Sequence, residues 1–294
     1  MKPEHTYLFQ RLCIIGMGLI GGSLARALIY NCVCKEIVGY DIDQSKLDKA
    51  LQLGVIHQAA SNIESAVSKA DIIVIAAPVS AMSSIFIQLK DIVPSSTVIT
   101  DVGSTKRSVV DAAQGVYDIL PSNFIPGHPL AGSENTGVEY SNAKLFTNCN
   151  VILTPLPTSS IDSVNIINKM WQGAGANVFE LDIEKHDEIL GATSHMPHIL
   201  AYLLVDILAS KSIKGDIFKY TAGGFRDFTR IASSDPALWC DISLANCDVI
   251  SSMLDNYCKA LSHLSTAISK GDRATIEATF TRAKFARDEQ IITQ

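Results

Sequence analysis

The chain has 294 residues, a net charge of −6 and an isoelectric point near 5.6, a balance that argues against a nucleic-acid partner, which requires a basic face. No apolar run reaches the length of a membrane span, and the first residues, Met1-Lys2-Pro3-Glu4-His5-Thr6-Tyr7, lack the continuous apolar stretch of a signal peptide. The seven cysteines are odd in number and lack metal-type spacing, so they read as free thiols in a reducing, cytoplasmic compartment.

Length predicts two domains, and a chain of this size buries about three-quarters of the surface its unfolded form exposes. The mean hydropathy of +0.22 is high for a fully solvated surface and favours a buried subunit interface.

In chain order, the apolar run Leu12-Cys13-Ile14-Ile15 predicts a strand. It runs into Gly16-Met17-Gly18-Leu19-Ile20-Gly21, and Ser23 to Leu28 then has helical spacing. Strand, glycine-rich turn and helix together form a phosphate cradle. Gly16 permits the turn, Gly18 lets the backbone approach a pyrophosphate, Gly21 lets helix and strand pack closely, and the helix N-terminus offers unpaired N–H donors. A second strand, Glu36 to Tyr40, ends at Asp41, twenty residues past Gly21, where a carboxylate accepts hydrogen bonds from adenosine ribose hydroxyls. Asp41 repels a 2′-phosphate and is followed by Ile42, Asp43 and Gln44 with no arginine, so the expected cofactor is NAD, not NADP. The expected cofactor contacts are Gly16, Gly18, Leu19, Ile20, Gly21, Asp41, Ala77 and Pro78.

Strands over Asp71–Ala76 and Thr97–Thr100 alternate with helices over Ala81–Lys90 and Thr105–Ala113, which predicts parallel βαβ units. Further strands are expected at Asn123–Ile125, Asn150–Leu153 and Val178–Leu181, the last two bracketing a helix from about Ser160 to Trp171. From Ile183 only helical periodicity follows. The expected architecture is α/β: an N-terminal Rossmann-type dinucleotide-binding domain, residues 1–181, and a C-terminal all-helical domain, residues 182–294. Its longest helix is expected to start at Ser234-Asp235-Pro236 and run to Gly271, with one apolar stripe from Leu238 to Ile268 that suits a dimer interface.

Gly127-His128-Pro129-Leu130-Ala131-Gly132-Ser133-Glu134 places a histidine and a carboxylate in what reads as a glycine-bounded turn after a Rossmann strand, where substrate meets nicotinamide. His128 suits a proton acceptor, because neutral imidazole is basic at cytoplasmic pH. His195 and His198 stand three residues apart, but no third or fourth ligand has suitable spacing, so no metal is expected. Read locally, Ser104 is the N-cap of the helix that follows, and Arg226 and Arg230 are surface ion-pair residues.

Four stretches in this order give the chain a family resemblance: Gly16 to Gly21; Asp101-Val102-Gly103-Ser104-Thr105-Lys106; Gly127 to Glu134; and Ser194-His195-Met196-Pro197-His198 with Gly223-Gly224-Phe225-Arg226-Asp227-Phe228-Thr229-Arg230. It resembles, over nearly its whole length, the prephenate dehydrogenases of tyrosine biosynthesis, also called cyclohexadienyl or arogenate dehydrogenases. The resemblance implies an all-helical dimerisation domain, a homodimer, and NAD-dependent oxidative decarboxylation of prephenate to 4-hydroxyphenylpyruvate. It makes His128 the base and lets Ser104 bridge the substrate hydroxyl and the nicotinamide. Arg230 then grips the ring side of the substrate while carbon dioxide departs, His198 contacts the side chain, and His195 is a neighbour behind them. Ser133 and Glu134 complete the substrate set, Glu134 either binding an amino-bearing substrate or pairing with Arg226. Arg226 stands where relatives carry lysine, in a loop that in the family reaches toward the other subunit.

The chain departs from the pattern at Thr221 and Ala222, where proline and glycine are common. It also lacks the length for an appended regulatory or chorismate mutase domain, so any feedback by tyrosine would have to act at the active site. Arogenate is the alternative substrate, a 3-hydroxy-acid dehydrogenase lacks its helical-domain lysine here, and a non-catalytic dinucleotide sensor is the third reading.

Overall fold

The computed structural model describes residues 6–133, 135–210 and 217–290. Glu134 lies outside them. The chain divides into two compact units, Met1–Cys247 and Asp248–Gln294.

The first unit opens with β1 (Phe9–Ile15), α1 (Leu19–Tyr30), β2 (Cys34–Tyr40), α2 (Gln44–Gln52), β3 (Gln58–Ala59), α3 (Ile63–Val67) and β4 (Ile72–Ile75). It continues through α4 (Met82–Leu89), β5 (Val98–Asp101), α5 (Arg107–Gln114) and β6 (Phe124–Ile125). These six strands form one parallel sheet in the order β3-β2-β1-β4-β5-β6, the doubly wound dinucleotide-binding arrangement. Alternate residues of β1 serve opposite faces. Leu12 and Ile14 join Leu24, Leu28, Ile37 and Val74 on one side, while Cys13 and Ile15 join Ile73, Ile75, Phe86 and Phe124 on the other. With helices over both faces, the strands read as continuous apolar runs without polar alternation. Burial of each such side chain stabilises the fold by about 1.5–3 kcal/mol.

The strand register delivers β1 and β4 side by side, Ile15 opposite Ile75, so both end at one edge. There Gly16 adopts φ +102°, and a Cβ on it would lie 2.3 Å from the Ala76 carbonyl oxygen. A Cβ on Gly21 would lie 2.3 Å from the Gly16 oxygen. The turn therefore closes only with glycine at both places.

Two expectations about this region are corrected. The His128 segment is not a turn but a three-residue strand, β7 (Gly127–Pro129), paired antiparallel with β8 (Asn150–Leu153). After α6 (Ile161–Gly173), β9 (Asn177–Glu180) pairs parallel with β8, so the last strands form a second three-stranded sheet and do not extend the first. The glycine and proline flanking His128 mimic a turn, but the Gly127, His128 and Pro129 backbone is ordered by its partner strand. Similarly, α5 starts at Arg107 and not at Thr105, with no side chain of its own segment as a cap.

The helical remainder comprises α7 (Ile183–Leu190), a wide π-helical stretch over Gly191–His195, α8 (Met196–Ser210), α9 (Gly223–Thr229) and α10 (Pro236–Ala245). Asp235 caps α10 by accepting from Ala237 N at 2.8 Å, with Pro236 at the first helical position, as the sequence predicts. The helix expected to run on to Gly271 breaks at Asn246, which has φ −122° and ψ 34°. Its side chain is used elsewhere, donating to the Asp187 carbonyl at 2.9 Å.

The second unit is a helical pair, α11 (Cys247–Lys270) and α12 (Arg273–Gln290). Gly271 at φ +67° stops the first, and Asp272 caps the next by accepting from Thr275 N at 3.1 Å. Among the described residues no helix is long and apolar enough to cross a membrane.

Candidate active site

One cleft of about 1200 Å³ opens along the carboxyl ends of the parallel strands. Gly16, Gly18, Leu19, Ile20, Asp41, Ala77 and Pro78 line it, and so do Ser104, His128 and Ser133. Gly21 is buried beneath the loop, not on the cleft surface.

A dinucleotide fits the first part of this cleft. Gly18 caps α1 without any side-chain hydrogen bond, and a Cβ placed there would meet no protein atom within 4 Å. The first-turn N–H groups therefore face open space, where a pyrophosphate satisfies them and gains from the helix dipole. Asp41 is held in place before any ribose arrives: Met17 N donates to one carboxylate oxygen at 2.8 Å and Asp43 N to the other at 2.9 Å. Each oxygen keeps a lone pair for a ribose hydroxyl. Asp41→Asn is expected to weaken NAD binding about 10- to 100-fold, the loss of charge-assisted hydrogen bonds, as read by calorimetry. An unchanged affinity would remove Asp41 from the cofactor site.

Across the cleft stands His128, buried on β7. Lys106 fixes the strand from beneath, donating from Nζ to the Gly127 carbonyl at 2.6 Å and to the Asp101 carboxylate. Asp101 in turn accepts from Gly127 N at 3.1 Å and from Gly103 N at 2.7 Å. Lys106 and Asp101 are both fully buried. Burial pushes the Lys106 ammonium down, and the Asp101 carboxylate opposes that shift.

The His128 ring lies against His186, with Nδ1 of the former 2.9 Å from Nε2 of the latter. His186 Nδ1 donates to the Asp187 carboxylate at 2.7 Å. Burial, then the neighbouring His186, Lys106 and His195, hold His128 well below the ordinary imidazole value, so it is neutral at neutral pH. Its Nε2 is the nitrogen left for a substrate hydroxyl. Ser104, half-buried in the loop after β5, lines the same cleft. It does not cap α5. That task falls to Asp187, which accepts from Lys106 N at 2.8 Å and Arg107 N at 2.9 Å from a position eighty residues away in sequence.

The remaining expected residues are distributed differently. His198 stacks on Trp239 with ring centroids 3.6 Å apart and holds its Nδ1 2.8 Å from the Ser194 carbonyl. Burial and the nearby Arg230 charge lower its affinity for a proton. The Arg230 charge is near enough to act on His198, and neither residue is among those lining the cleft. Arg226 is exposed on α9. His195 is buried, with Nδ1 3.1 Å from Asn246 Nδ2, and burial lowers it to about 4. Among the described residues no group of three or more metal-ligating side chains comes together.

Sequence reasoning missed Asp101, Lys106, His186, Asp187, Asn246 and Asp241. The last lines the cleft from α10 and accepts from Ser80 Oγ at 2.6 Å. Of these, only Asp101 and Lys106 fall within a quoted motif, and a lysine five residues after a strand-ending aspartate is a usable signal for a buried pair.

Comparison with known proteins matches two consecutive stretches of the chain. Residues 24–180 match the nucleotide-binding domain of prephenate dehydrogenase and residues 182–282 its dimerization domain. The chain is 36% identical to the cyclohexadienyl dehydrogenase of Zymomonas mobilis over 95% of its own length and 96% of that protein. It is 38% identical to the prephenate dehydrogenase of Bacillus subtilis over 94% of its length and 75% of that protein. A crystal structure of A. aeolicus prephenate dehydrogenase with hydroxyphenyl propionate and NAD+ superposes with a TM-score of 0.88 at 34% identity, covering 95% of this chain and 98% of the other. A Rossmann-type sheet, a helical C-terminal part and these matches together identify the chain as a member of the prephenate dehydrogenase family.

Proposed function

We propose that the protein catalyses the NAD-dependent oxidative decarboxylation of prephenate to 4-hydroxyphenylpyruvate, with His128 as the base. The observation that carries this reading is that His128 and Ser104 open on the same cleft as the glycine-rich loop and Asp41. NAD supplies the hydride acceptor. As hydride leaves the ring carbon bearing the hydroxyl, His128 Nε2 takes the hydroxyl proton. Loss of the ring carboxylate as carbon dioxide leaves its bonding electron pair in the ring, which becomes aromatic, and the proton returns to the phenolate oxygen. Ser104 orients the hydroxyl. By the family resemblance, Arg230 grips the ring side of the substrate and His198 contacts its side chain. Ser133, Glu134 and Arg226 remain substrate-side candidates by resemblance.

The division into a nucleotide-binding part, residues 1–181, and a helical part, residues 182–294, is supported by the two family matches, and the second match supports a homodimer through the C-terminal helices. Seven cysteines with no disulfide among the described residues fit a cytoplasmic setting.

The test is NADH formation by the purified protein with prephenate or arogenate, each with NAD and with NADP. Turnover of prephenate with NAD is expected. Arg230→Gln should raise KM for prephenate about 10- to 100-fold through loss of charge-assisted hydrogen bonds. Silence with both substrates in a protein that binds NAD would sink the assigned reaction.

A further inference from the structure

His186 and Asp187 are adjacent in sequence, buried, and carried by α7, within the stretch that matches the dimerization domain and not the nucleotide-binding one. The Asp187 carboxylate accepts from three N–H donors: Lys106 N, Arg107 N and His186 Nδ1. Its backbone carbonyl accepts from Asn246 Nδ2. A carboxylate with such a donor set is ionised and can only accept. His186 must therefore carry its proton on Nδ1, which leaves a lone pair on Nε2. That lone pair faces His128 Nδ1 at 2.9 Å, so His128 must carry its proton on Nδ1. The unprotonated nitrogen of His128 is then Nε2, the one the cleft requires. The two rings meet edge to face, with centroids 5.1 Å apart, so the hydrogen bond lies along the ring edges.

We propose that Asp187 and His186 are positioning residues for catalysis, a buried relay that fixes the tautomer of His128 and stabilises the imidazolium formed when His128 takes the hydroxyl proton. No proton needs to travel along the relay: the N–H groups of both rings stay in place and polarise as His128 becomes charged, and the Asp187 charge balances it. The relay places the orientation of the base, which sits beside the nucleotide, under the control of the helical part of the first unit. This inference rests on the reading of His128 as the base.

Four variants and a spectrum test it. His186→Ala should lower kcat about tenfold or more with NAD affinity unchanged, while His186→Gln, whose amide oxygen can accept from His128 Nδ1, should recover part of the loss. Combined with His128→Asn, His186→Ala should add no further loss, because a relay that acts only through His128 has nothing left to act on. Nitrogen NMR of the wild-type protein should find His128 protonated on Nδ1 and bare on Nε2 at neutral pH. This readout needs no variant and stands even if His186→Ala does not fold. The relay is overturned by the opposite tautomer, by wild-type kcat in His186→Ala, or by multiplying losses in the double variant. Full turnover by His128→Asn alone overturns the reading of the base instead, and is distinguishable because it appears without touching His186.

Discussion

Replacing His128 with asparagine is expected to lower kcat by about two to four orders of magnitude, the usual contribution of a positioned general base, with NAD affinity retained. Asparagine keeps the approximate size on β7 and removes the basic nitrogen. The wild-type pH profile follows from the same residue. The reactive form is neutral, so kcat/KM falls as pH drops through the His128 pKa in the free enzyme. Burial, His186, Lys106 and His195 all push that pKa down, so the acidic limb is expected well below the ordinary imidazole value of about 6.5. The rate should be flat from that value through neutrality and the limb should vanish in the variant. A limb at or above pH 6.5 that persists in His128→Asn would assign the titration, and the base, to another group.

Lys106→Met should be the most destabilising single change in the nucleotide-binding part. It leaves the fully buried Asp101 carboxylate with two backbone donors, Gly103 N and Gly127 N, and no countercharge. Breaking a buried pair from one side typically costs about 3–5 kcal/mol, which for a unit of this size lowers Tm on the order of 10 °C. Removing the charge as well should recover most of it, so Asp101→Asn with Lys106→Met is expected to melt above Lys106→Met alone. If the double variant melts no higher, the loss belongs to lysine packing and not to a stranded charge. The pair also grips both the N–H and the carbonyl of Gly127, next to His128, so kcat should fall together with stability.

The parallel sheet was legible because its signals are local: apolar runs of strand length, helical spacing between them, and an aspartate ending the second strand. The cofactor loop was legible for the same reason. What escaped depends on partners distant in sequence. Residues 127–129 look like a turn until β8 pairs with them, and α5 looks capped by Ser104 until Asp187 arrives. The apolar stripe continues through Ile242, Ala245 and Val249, so periodicity could not register that Asn246 leaves the helix to serve Asp187. The substrate motifs named His128, Ser104 and Arg230 but carried no hint of the two residues behind the base, since adjacent His186 and Asp187 fit any polar helix face.

The wide turn at Gly191–His195 is a matter of angular phase. His186 and His195 are nine residues apart, and at 3.6 residues per turn an unbroken α-helix would set them about 180° apart, on opposite sides. Yet His186 binds the Asp187 carboxylate and His195 meets Asn246, whose amide donates to the Asp187 carbonyl, so the two rings converge on one network. A π-helical stretch winds more slowly and resets the rotation between the segments it joins. One continuous rod thereby presents two histidines to a single place without a loop, and the spacing of the rings is held by helix stiffness instead of by a flexible connection.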